Sequence, residues 1–138
     1  MSRQFSYKAY RRPFVRALQT AHGEWSVREG FIVRVKTDGR VGYGEVAPIP
    51  WFGTETLAEA RAFLDRLKSD PTLVDDAEAL SELPCCAFGV SAAMVDSGQS
   101  GVECGEQDFE SAGLLPAGER ALEVLAAKLA GTATERGE

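Results

Sequence analysis

Apolar and polar positions change their period once along this chain. Residues 4–17 begin with alternation, Phe5, Tyr7 and Ala9 against Ser6, Lys8 and Tyr10, which predicts a half-buried strand whose regular pairing ends at Pro13. Residues 18–30 complete the stretch "LQTAHGEWSVREG", polar and punctuated by glycine, and read as a loop. Residues 31–37 alternate again, Phe31, Val33 and Val35 against Ile32, Arg34 and Lys36, and Asp38-Gly39 is a two-residue hairpin signal before the returning "RVGYGEV". After a second loop, "APIPWFGTE", the spacing becomes helical. Thr56 can cap a helix in which Leu57, Ala60, Phe63, Leu64 and Leu67 share a face, with Pro71 ending it. Asp75 or Asp76 opens a short helix through Leu83. Pro84 then starts a third that runs to Gly98 and is apolar nearly all round, so burial on most sides is expected. Residues 98–113 are loop-like. A last amphipathic helix, from about Ala117 to Leu129, carries Leu122, Leu125 and Leu129, and the tail "GTATERGE" is expected to be disordered. A three-stranded antiparallel meander followed by three to four packed helices, without βαβ alternation or internal repeat, is an α+β fold.

Composition narrows the function more by exclusion than by pointing. The 138 residues are one domain's worth, and 44% hydrophobic with 26% charged is ordinary for a globular chain. No run is long and apolar enough to span a bilayer, and "MSRQFS" is not followed by a signal-peptide core, so the expectation is a cytoplasmic protein with no membrane partner. The net charge of −6 divides unevenly: the first fifty residues hold nine Lys/Arg against four Asp/Glu, the remainder six against seventeen. The basic residues are scattered singly, which argues against a nucleic-acid surface. Cys85, Cys86 and Cys104 form no Cys-x-x-Cys pair and suit buried, inert thiols better than zinc or a disulfide framework.

Candidate chemistry is sparse. His22 is the only histidine, and neither Thr20 nor Ser26 has the base and orienting carboxylate a nucleophile needs. Gly42-Tyr43-Gly44-Glu45 lies inside a strand, lacks a third glycine and opens no helix, so it is not a phosphate loop. Asp75-Asp76 looks like a helix cap and "VECGEQDFE" like a solvated loop; neither has metal-site spacing. What stands out is Trp51-Phe52 on a loop stiffened by Pro48 and Pro50, where polar residues are the norm.

The segments "TAHGEWSVREGFIVRV", "GYGEVAPIPWFGTETLAEA" and "LPCCAFGVSAA" together resemble, in order over roughly residues 7–129, the start of an o-succinylbenzoate synthase of the enolase superfamily. The resemblance implies an N-terminal capping domain over residues 1–113. Residues 114–138 would then be a helix leading toward a (β/α) barrel, plus the tail. It implies magnesium-assisted dehydration of a cyclohexadiene carboxylate to o-succinylbenzoate, a step of menaquinone or phylloquinone biosynthesis. The catalytic lysines and acidic magnesium ligands of such enzymes lie on the barrel. No catalytic and no metal-ligating residue is therefore assigned in this chain, Lys128 cannot replace the barrel's Lys-x-Lys pair, and the polypeptide is expected to be inactive alone. The family's substrate-enclosing loops correspond to Thr20, His22, Gly23 and Trp25 and to Trp51, Phe52, Gly53 and Thr54, with Trp51 and Phe52 as pocket walls; the alternative is that both rings fold back on the first helix. The implied partners are a small carboxylate substrate and a barrel, on the same chain or on another. Dipeptide epimerases and N-acylamino acid racemases share the scaffold and remain open. So do a non-catalytic subunit and a stand-alone small-carboxylate binding module using Arg28 or His22 as anion contacts.

Overall fold

Three strands in the order β1-β2-β3 form one antiparallel sheet in a computed structural model that describes residues 3–98, 115 and 118–135. β1 spans Arg3–Thr20, β2 Gly23–Thr37 and β3 Arg40–Val46. The Asp38-Gly39 turn has φ of 48° and 84°, the left-handed values a tight hairpin requires. The helices are α1 (Leu57–Ser69), a 3₁₀ turn (Pro71–Asp75), α2 (Ala77–Ser81), α3 (Pro84–Asp96) and α4 (Arg120–Glu135). The chain divides into two units, Met1–Cys104 and Gly105–Glu138.

The α+β expectation holds, and the local signals behave as their chemistry requires. Thr56 closes a reciprocal capping box with Glu59, and the Asp76 carboxylate accepts from the amides of Glu78 and Ala79 at the start of α2. The core lies on one face of the sheet: Phe5, Phe31, Val33, Val35 and Val46 pack against Phe63, Leu64 and Leu67 of α1 and Cys86, Val90 and Ala93 of α3. The sheet and α3 approach almost to backbone contact. A Cβ on Gly44 would lie 1.9 Å from the Gly89 carbonyl oxygen, and one on Gly89 would lie 2.5 Å from that of Glu45. The glycines of "GYGE" thus serve packing, not phosphate binding.

Three expectations change. The stretch read as a loop over 18–30 is mostly strand: Leu18 pairs with Trp25, Gln19 with Glu24 and Thr20 with Gly23, leaving only Ala21-His22 as the turn. This outer ribbon carries largely exposed side chains, so it lacks the alternation that burial imposes. Helix α3 buries one face only. On its other side Phe88 is 73% exposed, so among the described residues this largely apolar helix is not enclosed all round. Helix α4 starts three residues late, because Gly118 sits at φ 78° and its carbonyl takes the Ala121 amide; it then runs into the expected disordered tail as far as Glu135. Ala127, Ala130 and Ala133 are strong helix formers, and a helix needs no buried face to continue by local propensity. The loop expected over 98–113 lies, apart from Gly98, outside the described residues.

Candidate functional site

The site is assembled at the end of the β1–β2 ribbon. Thr20 ends β1, and its hydroxyl donates to the Gly23 carbonyl (2.8 Å) while accepting from the His22 amide (3.1 Å), tying the turn to itself. Gly23 has φ 105°, open to glycine and strained for anything else. This geometry places the His22 imidazole over Trp51, stacked at 5.5 Å and 24°. Trp25 meets the same indole edge-on at 5.1 Å, and Phe14 meets Trp25 edge-on at 5.0 Å. Ring pairs at these separations attract through their quadrupoles as well as by area. The ring contacts of Trp51 are therefore with the ribbon and not with α1. An irregularity in the strand pairing delivers Phe14: between Pro13–Val27 and Leu18–Trp25, four residues of β1 face Ser26 alone.

The second loop leaves β3 at Val46. Pro48 is buried, and the Phe52 amide donates to the Ile49 carbonyl at 3.0 Å, closing a turn that swings Trp51 toward His22. Gly53 (φ 74°) then reverses the chain into α1. Of the eight residues named from sequence, Thr20, His22, Gly23, Trp25 and Trp51 come together. Phe52 projects outward at 68% exposure, with Gly53 beside it. Thr54 points elsewhere: its hydroxyl accepts from the Cys85 thiol at 3.6 Å, at the start of α3.

Two residues that matter here were not singled out for these roles. Glu55 is 4% exposed, and its carboxylate accepts from the Cys86 amide (2.7 Å) and the Cys85 amide (3.2 Å), supplying the charge that the positive end of α3 favours. Burial, with the Glu55 charge adding to it, pushes the Cys86 thiol far above its ordinary range, and burial also raises the half-buried Cys85, which disfavours the reactive thiolate at both; Cys104 lies outside the described residues. Arg28 donates to the Ala47 carbonyl at 2.6 Å and lies with its guanidinium carbon 5.4 Å from the centre of the Trp25 ring. Next to it the Tyr10 hydroxyl donates to Glu45 across Gly30, where a Cβ would fall 2.7 Å from the phenol oxygen. Burial first, and the Glu45 bond second, push Tyr10 up to about 12. Arg28 could be suspected from its nearness to Trp25 in sequence; nothing local signals Glu55, whose partners lie thirty residues away.

The carboxylates have other work. Glu45 holds Tyr10, Glu55 holds α3, Asp65 accepts from Tyr7, and Asp96 accepts from the Tyr43 amide. Among the described residues no three His, Cys, Asp or Glu converge as a metal centre would need. The donor set among the described residues does not fit magnesium. A groove of about 650 Å³ between β1, β2 and α1, lined by Arg11, Phe31, Arg61, Ala62 and Asp65 among others, is separate from the aromatic cluster.

Fold and site together define a loop-presenting α+β domain: a sheet backed by helices that displays an aromatic cluster at one end. The family model for the N-terminal domain of MenC matches residues 2–97, and the chain belongs to that family. It is 39% identical over 94 residues to the o-succinylbenzoate synthase of Edwardsiella ictaluri, covering 68% of this chain and 29% of that protein. It is 34% identical over 97 residues to the o-succinylbenzoate synthase of Thermosynechococcus vestitus, covering 70% and 30%. The crystal structure of o-succinylbenzoate synthase from Thermosynechococcus elongatus BP-1, complexed with magnesium in its active site, superposes with a TM-score of 0.74 at 30% identity, covering 98% of this chain and 40% of that one. MenC from Desulfotalea psychrophila shares the fold at 22% identity and a TM-score of 0.65, over 94% of this chain and 47% of that one. The chain thus spans under a third of the length of these curated relatives. None of its helices is long and apolar enough to cross a membrane, among the described residues.

Proposed function

We propose that this chain is the capping portion of an o-succinylbenzoate synthase-like enzyme and that residues 20–25 and 49–54 enclose a small carboxylate substrate over a (β/α) barrel. The observation that carries the reading is the convergence of the two loops: Trp51 meets His22 and Trp25 although some thirty residues separate them in sequence. Aromatic walls on proline- and glycine-held loops suit a lid, because they exclude water and so strengthen the electrostatics of the chemistry beneath. The chain's own residues would shape and dry the pocket. The family's proton-transferring lysines and magnesium ligands would lie on the barrel. The uncovered Phe88 side of α3 suits a surface on which a further layer packs.

The experiment joins residues 1–98 of this chain to the barrel of the Thermosynechococcus elongatus enzyme. Turnover of the cyclohexadiene carboxylate is expected from the joined protein with magnesium and none from the 138-residue chain alone. Magnesium-dependent turnover by the pure chain, verified by intact mass, contradicts the reading.

A further inference from the structure

We propose that Arg28 is the positioning residue of the aromatic cluster: its guanidinium clamps the 47–53 loop to the β1–β2 ribbon and thereby sets where Trp51 stands against Trp25 and His22. The clamp stands on geometry alone; its bearing on a substrate rests on the capping function proposed above.

The need for a clamp follows from the loop's composition. Beyond Val46 the segment leaves the sheet, and Pro48 and Pro50 have no backbone N–H with which to anchor it. The Ile49 carbonyl is met within the loop by the Phe52 amide, whereas the Ala47 and Pro48 carbonyls at its base take donors from β2. Arg28 supplies them: Nη2 donates to Ala47 at 2.6 Å and Nη1 makes a longer, weaker contact with Pro48 at 3.5 Å, in a part-buried setting. The same planar group lies over Trp25, 5.4 Å from its centre, within reach of a cation–π attraction. One side chain of β2 therefore grips the base of the 47–53 loop and a ring at the end of the β1–β2 ribbon. Trp51, three residues beyond Pro48, then completes the cluster against Trp25 and His22. A lysine in this place would offer a tetrahedral, strongly hydrated ammonium instead of a planar fork able to reach two carbonyls and the indole at once. Beside Arg28, Tyr10, bound to Glu45, packs over Gly30 on the adjoining stretch of β2.

The protein reports on the clamp directly, because both of its tryptophans are in the cluster. The full 138-residue chain would be compared with Arg28→Gln and Arg28→Lys by near-ultraviolet circular dichroism, and by hydrogen exchange of peptides spanning 47–55 and, as an internal reference, 57–69. In Arg28→Gln the coupled tryptophan bands are expected to collapse. Exchange at the Phe52 amide should accelerate roughly tenfold to a hundredfold, the range for losing charge-assisted hydrogen bonds, while α1 keeps its protection. Arg28→Lys, which retains charge and stem, should lose the bands as well; it decides the matter if Arg28→Gln does not fold. Native tryptophan bands and unchanged Phe52 exchange in a folded variant overturn the clamp. Neither readout involves substrate, so the barrel-joining experiment tests the capping function separately.

Discussion

Replacing Glu55 by alanine removes the acceptor on which the start of α3 depends. Two amides lose it: Cys86, fully buried, and Cys85, half-buried. A hydrogen bond to a charged group contributes about 1.5–3 kcal/mol, and a buried N–H left without a partner bears its full desolvation cost. The two bonds share one carboxylate and do not simply add, so about 3–4 kcal/mol is expected for Glu55→Ala. Glu55→Gln keeps an acceptor oxygen but gives up the charge facing the helix dipole, and about half that loss is expected. For a unit of this size each kcal/mol moves the melting midpoint by roughly 4–8 °C, so the alanine variant should melt roughly 12–30 °C lower. Against total stabilities of about 5–15 kcal/mol that is a large fraction. Urea denaturation followed by far-ultraviolet circular dichroism checks it, with the slope unchanged and the midpoint lowered. An alanine variant within about 0.5 kcal/mol of the parent would refute the argument, since it would mean that water replaces the carboxylate at no cost.

Gly89→Ala should destabilise by at least about 2–3 kcal/mol, because its Cβ would meet the Glu45 carbonyl oxygen at 2.5 Å and backbone cannot yield as a side chain does; a thermal melt within 2 °C of the parent would contradict that. The Tyr10 phenol is held up to about 12 from 10.0, chiefly by burial and then by Glu45. Folding therefore favours its protonated form, a contribution complete below pH 10 and lost as pH rises through about 12. In an absorbance titration of the tyrosinates, Tyr10→Phe should remove the latest-ionising step. Loss of an early step instead would show the phenol to be free.

Much of the fold is legible in the chain because its determinants are local. The alternation around Phe31–Val35, the Asp38-Gly39 turn, the Thr56–Glu59 box and Pro84 at the head of α3 each act within a few residues. The outer ribbon is not legible in this way. Its pairing comes from the Thr20–Gly23 turn and from Trp25 packing on Phe14 and Trp51, so its strands leave no period in the sequence. The site divides along the same line. Two aromatic loops can be named from Trp25, Trp51 and the prolines, whereas Glu55 and Arg28 bond to backbone groups about twenty to thirty residues away, which no local pattern encodes. Phe52 and Thr54, grouped with Trp51 through the family resemblance, part from it: Phe52 projects outward, and Thr54, beyond the Gly53 turn, meets Cys85.

The proposed lid role rests on Trp51 being a wall and not core. In the protein joined to the Thermosynechococcus elongatus barrel, Trp51→Ala would be measured for turnover and for melting temperature together. An aromatic side chain buries about 150–250 Å² when fully covered, and with the ring already packed on His22 and Trp25 about a third of that area is left to face a substrate. At about 25 cal/mol per Å² this is worth roughly 1–2 kcal/mol, or about a five- to thirtyfold loss of kcat/KM. The account predicts that loss with a melting temperature lowered by only a few degrees. A variant that turns over normally but melts far lower would make Trp51 a structural residue and contradict it.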